Sequence, residues 1–202
     1  MGKISEKKKL KREQLLMSAY SLFIKKGVLN TSISDIANGA SMGKGTFYLY
    51  FKDKMDIRDK LIATKMNEII SEAIEHIDCL CIKVFEERII YMFDYLIEKL
   101  ARDLDLLRFI SDNLSWNAFK KPVVCDEDNN LNLYDCYWKI LKESGREFRK
   151  PRLMLFMIVE LINSTCHGVL LEDSMVTLDE LKSDLYPVII DIMHRHEVKN
   201  EM

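Results

Sequence analysis

Leu15, Leu16, Ala19, Leu22 and Phe23 recur at helical spacing and predict a first helix from about Ser5 to Lys26. Lys25 and Lys26 put cations at its negative end, and Gly27 suits a left-handed cap. Ser32 and Asp35 have the spacing of a capping box, with Asp in place of the preferred Glu or Gln. A short helix should therefore begin near Ile33, turn Ile33, Ile36, Ala37 and Ala40 inward, and stop around Gly39 to Ser41. A second short helix is predicted near Lys44 to Leu49. Asp53, with Asp56 three residues on, then offers the cap of a new helix. Short helix, tight turn, short helix, new helix is the helix-turn-helix layout.

Beyond residue 54 the apolar pattern lengthens. Ile57, Leu61, Met66, Ile69, Ile70, Ala73 and Ile77 predict one helix to about His76. Phe85, Ile89, Met92, Phe93, Leu96 and Leu100 mark another, and Leu104, Leu107, Ile110 and Leu114 a shorter one. Lys120 to Asn130, with Pro122 and a polar run, reads as a loop. Leu133, Tyr137, Ile140 and Leu141 give a helix ending near Gly145. Pro151 suits the first turn of a helix to about Leu171. The last helix starts near Leu178 and runs towards His194, with a kink or tightened turn expected at Pro187. The fold class is all-α, about nine helices, with a helix-turn-helix domain over residues 1–54 and a helical domain over 55–202.

Composition agrees, since seven Gly and three Pro in 202 residues leave little room for an all-β fold. The net charge of −2 conceals an asymmetry. Residues 1–60 hold 13 Lys plus Arg against 6 Asp plus Glu, whereas residues 61–202 hold 17 against 26. A basic end on an acidic body points to a polyanion at that end, or to a solvated basic face. The cluster Lys3, Lys7, Lys8, Lys9, Lys11 and Arg12 is not followed by the apolar stretch of a signal peptide. Apolar runs such as Leu153 to Val159 are interrupted short of a membrane span. Five scattered cysteines (Cys79, Cys81, Cys125, Cys136 and Cys166) fit reduced thiols better than a disulfide framework. These features set the expectation of a cytoplasmic protein with no membrane partner.

The informative string is Lys44-Gly45-Thr46-Phe47-Tyr48-Leu49-Tyr50-Phe51-Lys52, preceded by Thr31 and Ile36-Ala37 and followed by Lys54. In these residues, at this spacing, the chain resembles the DNA-binding domain of the TetR family. The likeness covers about the first 60 residues. Two positions depart from the family pattern: Ser41 stands where Gly is usual in the turn, and Gly43 where Ser or Thr usually opens the recognition helix. A recognition helix offers its N-terminal residues to base edges and phosphates. Gly45 lets the backbone approach DNA, Lys44 and Thr46 can donate, and Phe47 and Phe51 can anchor the short helix. The candidate DNA contacts are Thr31, Ser32, Met42, Gly43, Lys44, Gly45, Thr46, Tyr48, Tyr50, Lys52 and Lys54.

The resemblance implies a sequence-specific transcriptional regulator, a ligand-responsive repressor in most of the family, that binds a palindromic operator in double-stranded DNA as a homodimer. It also implies a small-molecule effector of unknown identity and a helix from Asp53 that couples the domains. Candidate ligand residues with a polar handle are Tyr91, Tyr95, Trp116, Asn117, Tyr137, Trp138, Asn163 and His167; each also reads as an ordinary core or surface residue. Candidate dimer-interface residues are Met157, Leu161, Thr165, Val169, Ile189, Ile192 and Met193. No cofactor is implied. There is no Gly-rich phosphate loop, Gly-x-Ser-x-Gly or His-Glu-x-x-His, and Cys79 and Cys81 lack a second pair to complete a zinc site, so neither an enzyme nor a metal site is expected. Two alternatives stay open: a redox-responsive regulator using Cys79 and Cys81, and a helical protein-interaction module that does not bind DNA.

Overall fold

The computed structural model describes residues 2–113, 133–172 and 174–198. Among these residues it contains nine helices and no extended strand. They are α1 (Gly2–Lys26), α2 (Ile33–Gly39), α3 (Lys44–Phe47), α4 (Lys54–Cys79), α5 (Phe85–Ala101), α6 (Leu104–Asn113), α7 (Leu133–Glu143), α8 (Pro151–Leu171) and α9 (Leu178–His196). The predicted loop from Lys120 to Asn130 lies outside the described residues. Two compact units divide the chain, Met1–Lys65 and Met66–Met202, so the division falls within α4 rather than ahead of it.

In the first unit, the apolar face of α1 meets α2. Leu15, Ala19 and Phe23 are buried with Ile36 and Ala37, while Ile33 and Ala40, also expected inward, are half-buried. Local signals set each boundary. Gly27 ends α1 at φ +79, in the left-handed region that costs glycine no steric penalty. The capping box forms despite its Asp: the Asp35 amide donates to Ser32 Oγ at 3.1 Å and the Ser32 amide to Asp35 Oδ2 at 2.9 Å. Asp53 Oδ1 accepts from the amides of Met55 and Asp56 at 2.8 and 2.9 Å and so starts α4. At Gly39 a Cβ would sit 2.4 Å from Ser18 Oγ, so a larger residue there would turn aside the hydroxyl that donates to Ile36 O at 2.8 Å.

In the second unit, α8 packs against α6 and α9, and α5 against α6, α7 and α9. Ile89, Met154, Ile158, Ile189 and Met193 are fully buried at its centre. Burying each such side chain contributes roughly 1.5–3 kcal/mol. Among the described residues, α8 is the one helix long and apolar enough to cross a membrane by length and composition, with a mean hydropathy of 1.6 over a window that is 33% buried. Thr177 and Glu180 form a second capping box that opens α9. That helix continues through Pro187, whose position is exposed, and ends at His196 rather than near His194. A half-buried polar cluster joins α9 to α5: the Lys182 ammonium contacts Asp94 at 2.8 Å and also Glu98, and the Tyr186 hydroxyl donates to Asp94. Burial, and then the Asp94 carboxylate, push the Tyr186 phenol well above its ordinary range.

Candidate DNA-binding face and ligand cavity

The candidate DNA face is built around one helical turn. Helix α3 is shorter than the predicted Lys44 to Leu49: it ends at Phe47, and Tyr48 to Tyr50 form a turn. Phe47 and Phe51 hold it, both essentially inaccessible, with ring centroids 5.6 Å apart. The Arg12 guanidinium and the Lys60 ammonium flank the Phe51 ring at 6.0 and 5.2 Å from its centroid. Between α2 and α3 the chain reverses through Ser41, at φ +56, and the Met42 amide donates back to Ala37 O at 2.8 Å.

Around this anchor the exposed residues are Gly43, Lys44, Gly45, Tyr48, Leu49 and Lys52, with Met42, Thr46, Tyr50 and Lys54 half-buried beside them. Gly43 and Gly45 have no structural reason to be glycine. Neither holds a positive φ, and a Cβ on either would meet nothing within 4 Å. Gly43 caps α3 without a side-chain bond. The first turn of α3 therefore presents bare backbone beside a lysine, which suits close approach to a nucleic-acid backbone or groove. Lys54 donates to Leu29 O at 3.1 Å. Ser32 is exposed at the start of α2. Thr31 differs from the other candidates: it is buried, and its hydroxyl donates to Gly27 O at 2.8 Å. Its role in this structure is to tie the α1–α2 connection together. Leu49, 75% exposed beside Tyr48, is absent from the sequence candidates.

An ion pair joins the end of α1 to α2. The Lys26 ammonium, 2.9 Å from Asp35, acts with the backbone and side chain of Ser32 to hold the Asp35 carboxyl down from its ordinary 3.8 to about 2.

The second unit holds an apolar cavity of about 40 Å³ between α5, α6 and α8, lined also by Met66 of α4. Helix α5 lines it with Phe93, Leu96, Ile97 and Leu100, and α6 with Leu107 and Ile110. Ile162, Asn163 and Cys166 are among the α8 residues that face it. Burial pushes the Cys166 thiol up to about 11, so it stays protonated and behaves as a small apolar group. Of the eight ligand candidates, Asn163 alone among the described residues lines this cavity. Tyr137 is fully buried, with its hydroxyl bonded to Pro151 O at 2.9 Å. Tyr91 and Tyr95 stack on each other at 6.4 Å; Tyr91 reaches His76 at 3.4 Å, and Tyr95 donates to Glu72 at 2.8 Å. Trp138 is half-buried, and its Nε1 is buried without a hydrogen-bond partner among the described residues. His167 lies 3.8 Å from Asp112 and 3.7 Å from Glu172. Trp116 and Asn117 lie outside the described residues.

The dimer candidates also divide. Met157 is exposed, and Leu161, Thr165, Val169 and Ile192 are half-buried. Ile189 and Met193 are fully buried within the protomer and belong to its core. Leu153 and Val188, absent from the candidates, are exposed instead.

Residues 15–61 match the family model described as bacterial regulatory proteins, tetR family. A curated HTH-type transcriptional regulator of Staphylococcus aureus (strain bovine RF122 / ET3-1) is 24% identical over 92% of this chain and 96% of its own. Residues 15–61 are thus a TetR-family DNA-binding domain. Two solved structures extend the likeness over the whole fold. A putative TetR-family regulator from Syntrophomonas wolfei is 24% identical, covers 92% of this chain and 96% of its own, and superposes with a TM-score of 0.65. The FadR regulator of Bacillus subtilis, solved in complex with stearoyl-CoA, is 25% identical over 90% and 99%, with a TM-score of 0.58. With this domain, and with its likeness to curated HTH-type regulators along its length, the protein is a DNA-binding transcriptional regulator. The redox and interaction-module alternatives gain no support. Cys79 and Cys81 are exposed near the end of α4, and no metal-binding group of side chains forms among the described residues.

Proposed function

We propose that this protein is a cytoplasmic, ligand-responsive repressor that binds a palindromic operator as a homodimer and is released by a long-chain acyl thioester. The observation that carries the effector class is the cavity, whose lining is apolar apart from Asn163 and the protonated Cys166. A fatty chain needs such a wall and little else. The relative solved with stearoyl-CoA shares this fold. The cavity, at about 40 Å³, is far smaller than the roughly 300–1,000 Å³ of sites that bury sizeable ligands. A long chain needs more room than that, so we take α5, α6 and α8 to part as it enters, and that displacement supplies the differential binding any effector needs. Helix α4 runs through both compact units, and we take it as the element that carries the change towards α3. Coupling of this kind amounts to about 1–3 kcal/mol, or roughly 5–150-fold in operator affinity.

The test is a selection of random duplex DNA by the purified protein, followed by titration of the recovered complex with stearoyl-CoA and with free coenzyme A. The expected result is one palindromic site, released by the acyl thioester and not by coenzyme A alone. No enrichment of any site would overturn the operator reading. Enrichment with no response to the thioester would overturn the effector class and leave the regulator in place.

A further inference from the structure

The N-terminal part of α1 stands clear of the core. Residues 6–11 are all exposed, and the first fully buried side chain of the helix is Leu15. Residues 6–11 therefore form an exposed overhang of about 9 Å, roughly a quarter of a turn of duplex DNA. Five of the six residues from Lys7 to Arg12 are cations. They fall in two adjacent columns, Lys7 with Lys11 and Lys8 with Arg12, each pair four residues apart on the helix surface.

Helix α1 has no acidic residue in its first turn, and its basic residues crowd the N-terminal half. Lys7, Lys8 and Lys11 are exposed, which puts their charge where something outside the chain can meet it. Its place in the fold narrows the choice. Arg12, where the overhang joins the packed part of α1, lies over the Phe51 ring, and Phe51 directly precedes the exposed Lys52 of the DNA face.

We propose that the basic overhang of α1 is a second DNA-contact element, a clamp on phosphates flanking the bases that α3 reads. It has cations for phosphate and, from Lys7 to Arg12, no amide or aromatic side chain for base edges, so it adds affinity without adding sequence preference. The inference rests on the DNA-binding reading and assigns a new surface to it.

The test compares the full-length protein with a Lys7→Gln/Lys8→Gln/Lys11→Gln variant on a mixed-sequence duplex of about four helical turns, over a range of salt concentrations. For each phosphate that the variant no longer neutralises, the slope of log Kobs against log salt should become shallower by about 0.9. Affinity at low salt should fall at least tenfold, while the site recovered by selection stays the same. The melting temperature should hold, because all three side chains are exposed. Unchanged slope and affinity would overturn the proposal and leave α3 as the DNA contact. So would a variant that keeps its DNA slope but loses binding to phosphatidylserine vesicles, which would assign the overhang to a lipid surface. If the unaltered protein shows no salt-dependent duplex binding, the DNA reading itself falls.

Discussion

Ser41 holds φ +56, in the left-handed region, at the turn between α2 and α3. A side chain with a Cβ is strained there by about 1–2 kcal/mol, partly offset because glycine loses more chain entropy on folding. The Ser41 side chain is exposed, and the bond from its amide to Asn38 O at 2.9 Å does not depend on side-chain identity. Ser41→Gly should therefore stabilise the protein by about 0.5–1 kcal/mol in urea unfolding; a loss of stability would show that the strain argument is wrong. Asp35 carries a second expectation at this scale. Its carboxyl is held near 2 in the fold against an ordinary 3.8, so the stability it contributes is present above about 4 and is lost as pH falls through about 2. Asp35→Asn should unfold at lower urea than the unaltered protein at neutral pH, and the gap should close between about pH 4 and pH 2. A gap that stayed constant across that window would mean the ion pair with Lys26 is not its source.

At the scale of elements, α3 sets the demands of fold and function against each other. Gly45 lies inside its single turn, where glycine costs about 0.5–1 kcal/mol relative to alanine. A Cβ there has open space around it. Gly45→Ala should therefore raise the urea midpoint while weakening operator binding at least tenfold, a pairing that only an external partner explains. Retained affinity in the alanine variant would remove Gly45 from the DNA face. The elements themselves are largely legible in the sequence because their signals are local. Gly27, the Ser32–Asp35 box, Asp53 and Pro151 each mark a boundary within a few residues of where it acts. The sequence makes α3 two residues too long because Tyr48 to Tyr50 continue its apolar spacing, whereas the Phe47–Phe51 anchor closes the turn early. The candidate DNA face is drawn from the same kind of local signal. The cavity is not, since four helices contribute to it and its lining spacing is the spacing of any helix core. Choosing residues by polar handle selects Tyr137, whose hydroxyl is already spent on Pro151 O, and passes over Phe93 and Ile162.

The whole molecule poses the question of what covers α8. This helix has a mean hydropathy of 1.6, yet a third of its apolar window is buried, and Leu153 and Met157 stand exposed. Val188 of α9 is exposed as well. A second copy pairing through α8 and α9 would cover this surface, and the usual specific interface of about 1,200–2,000 Å² would take in Met157. Within one protomer Met157 is 41% exposed, so Met157→Glu should change protomer stability by no more than about 0.5 kcal/mol. Inside a paired interface the same carboxylate would lose its water without gaining a partner. The variant should therefore keep its helical circular dichroism and its affinity for stearoyl-CoA, yet sediment as a monomer. Two recognition helices on one particle hold a palindrome by effective concentration, so operator affinity should fall by about 10²–10⁴-fold. A variant that remained dimeric with full operator affinity would place the interface elsewhere. A monomer that still bound the palindrome tightly would mean each protomer reads its half-site alone.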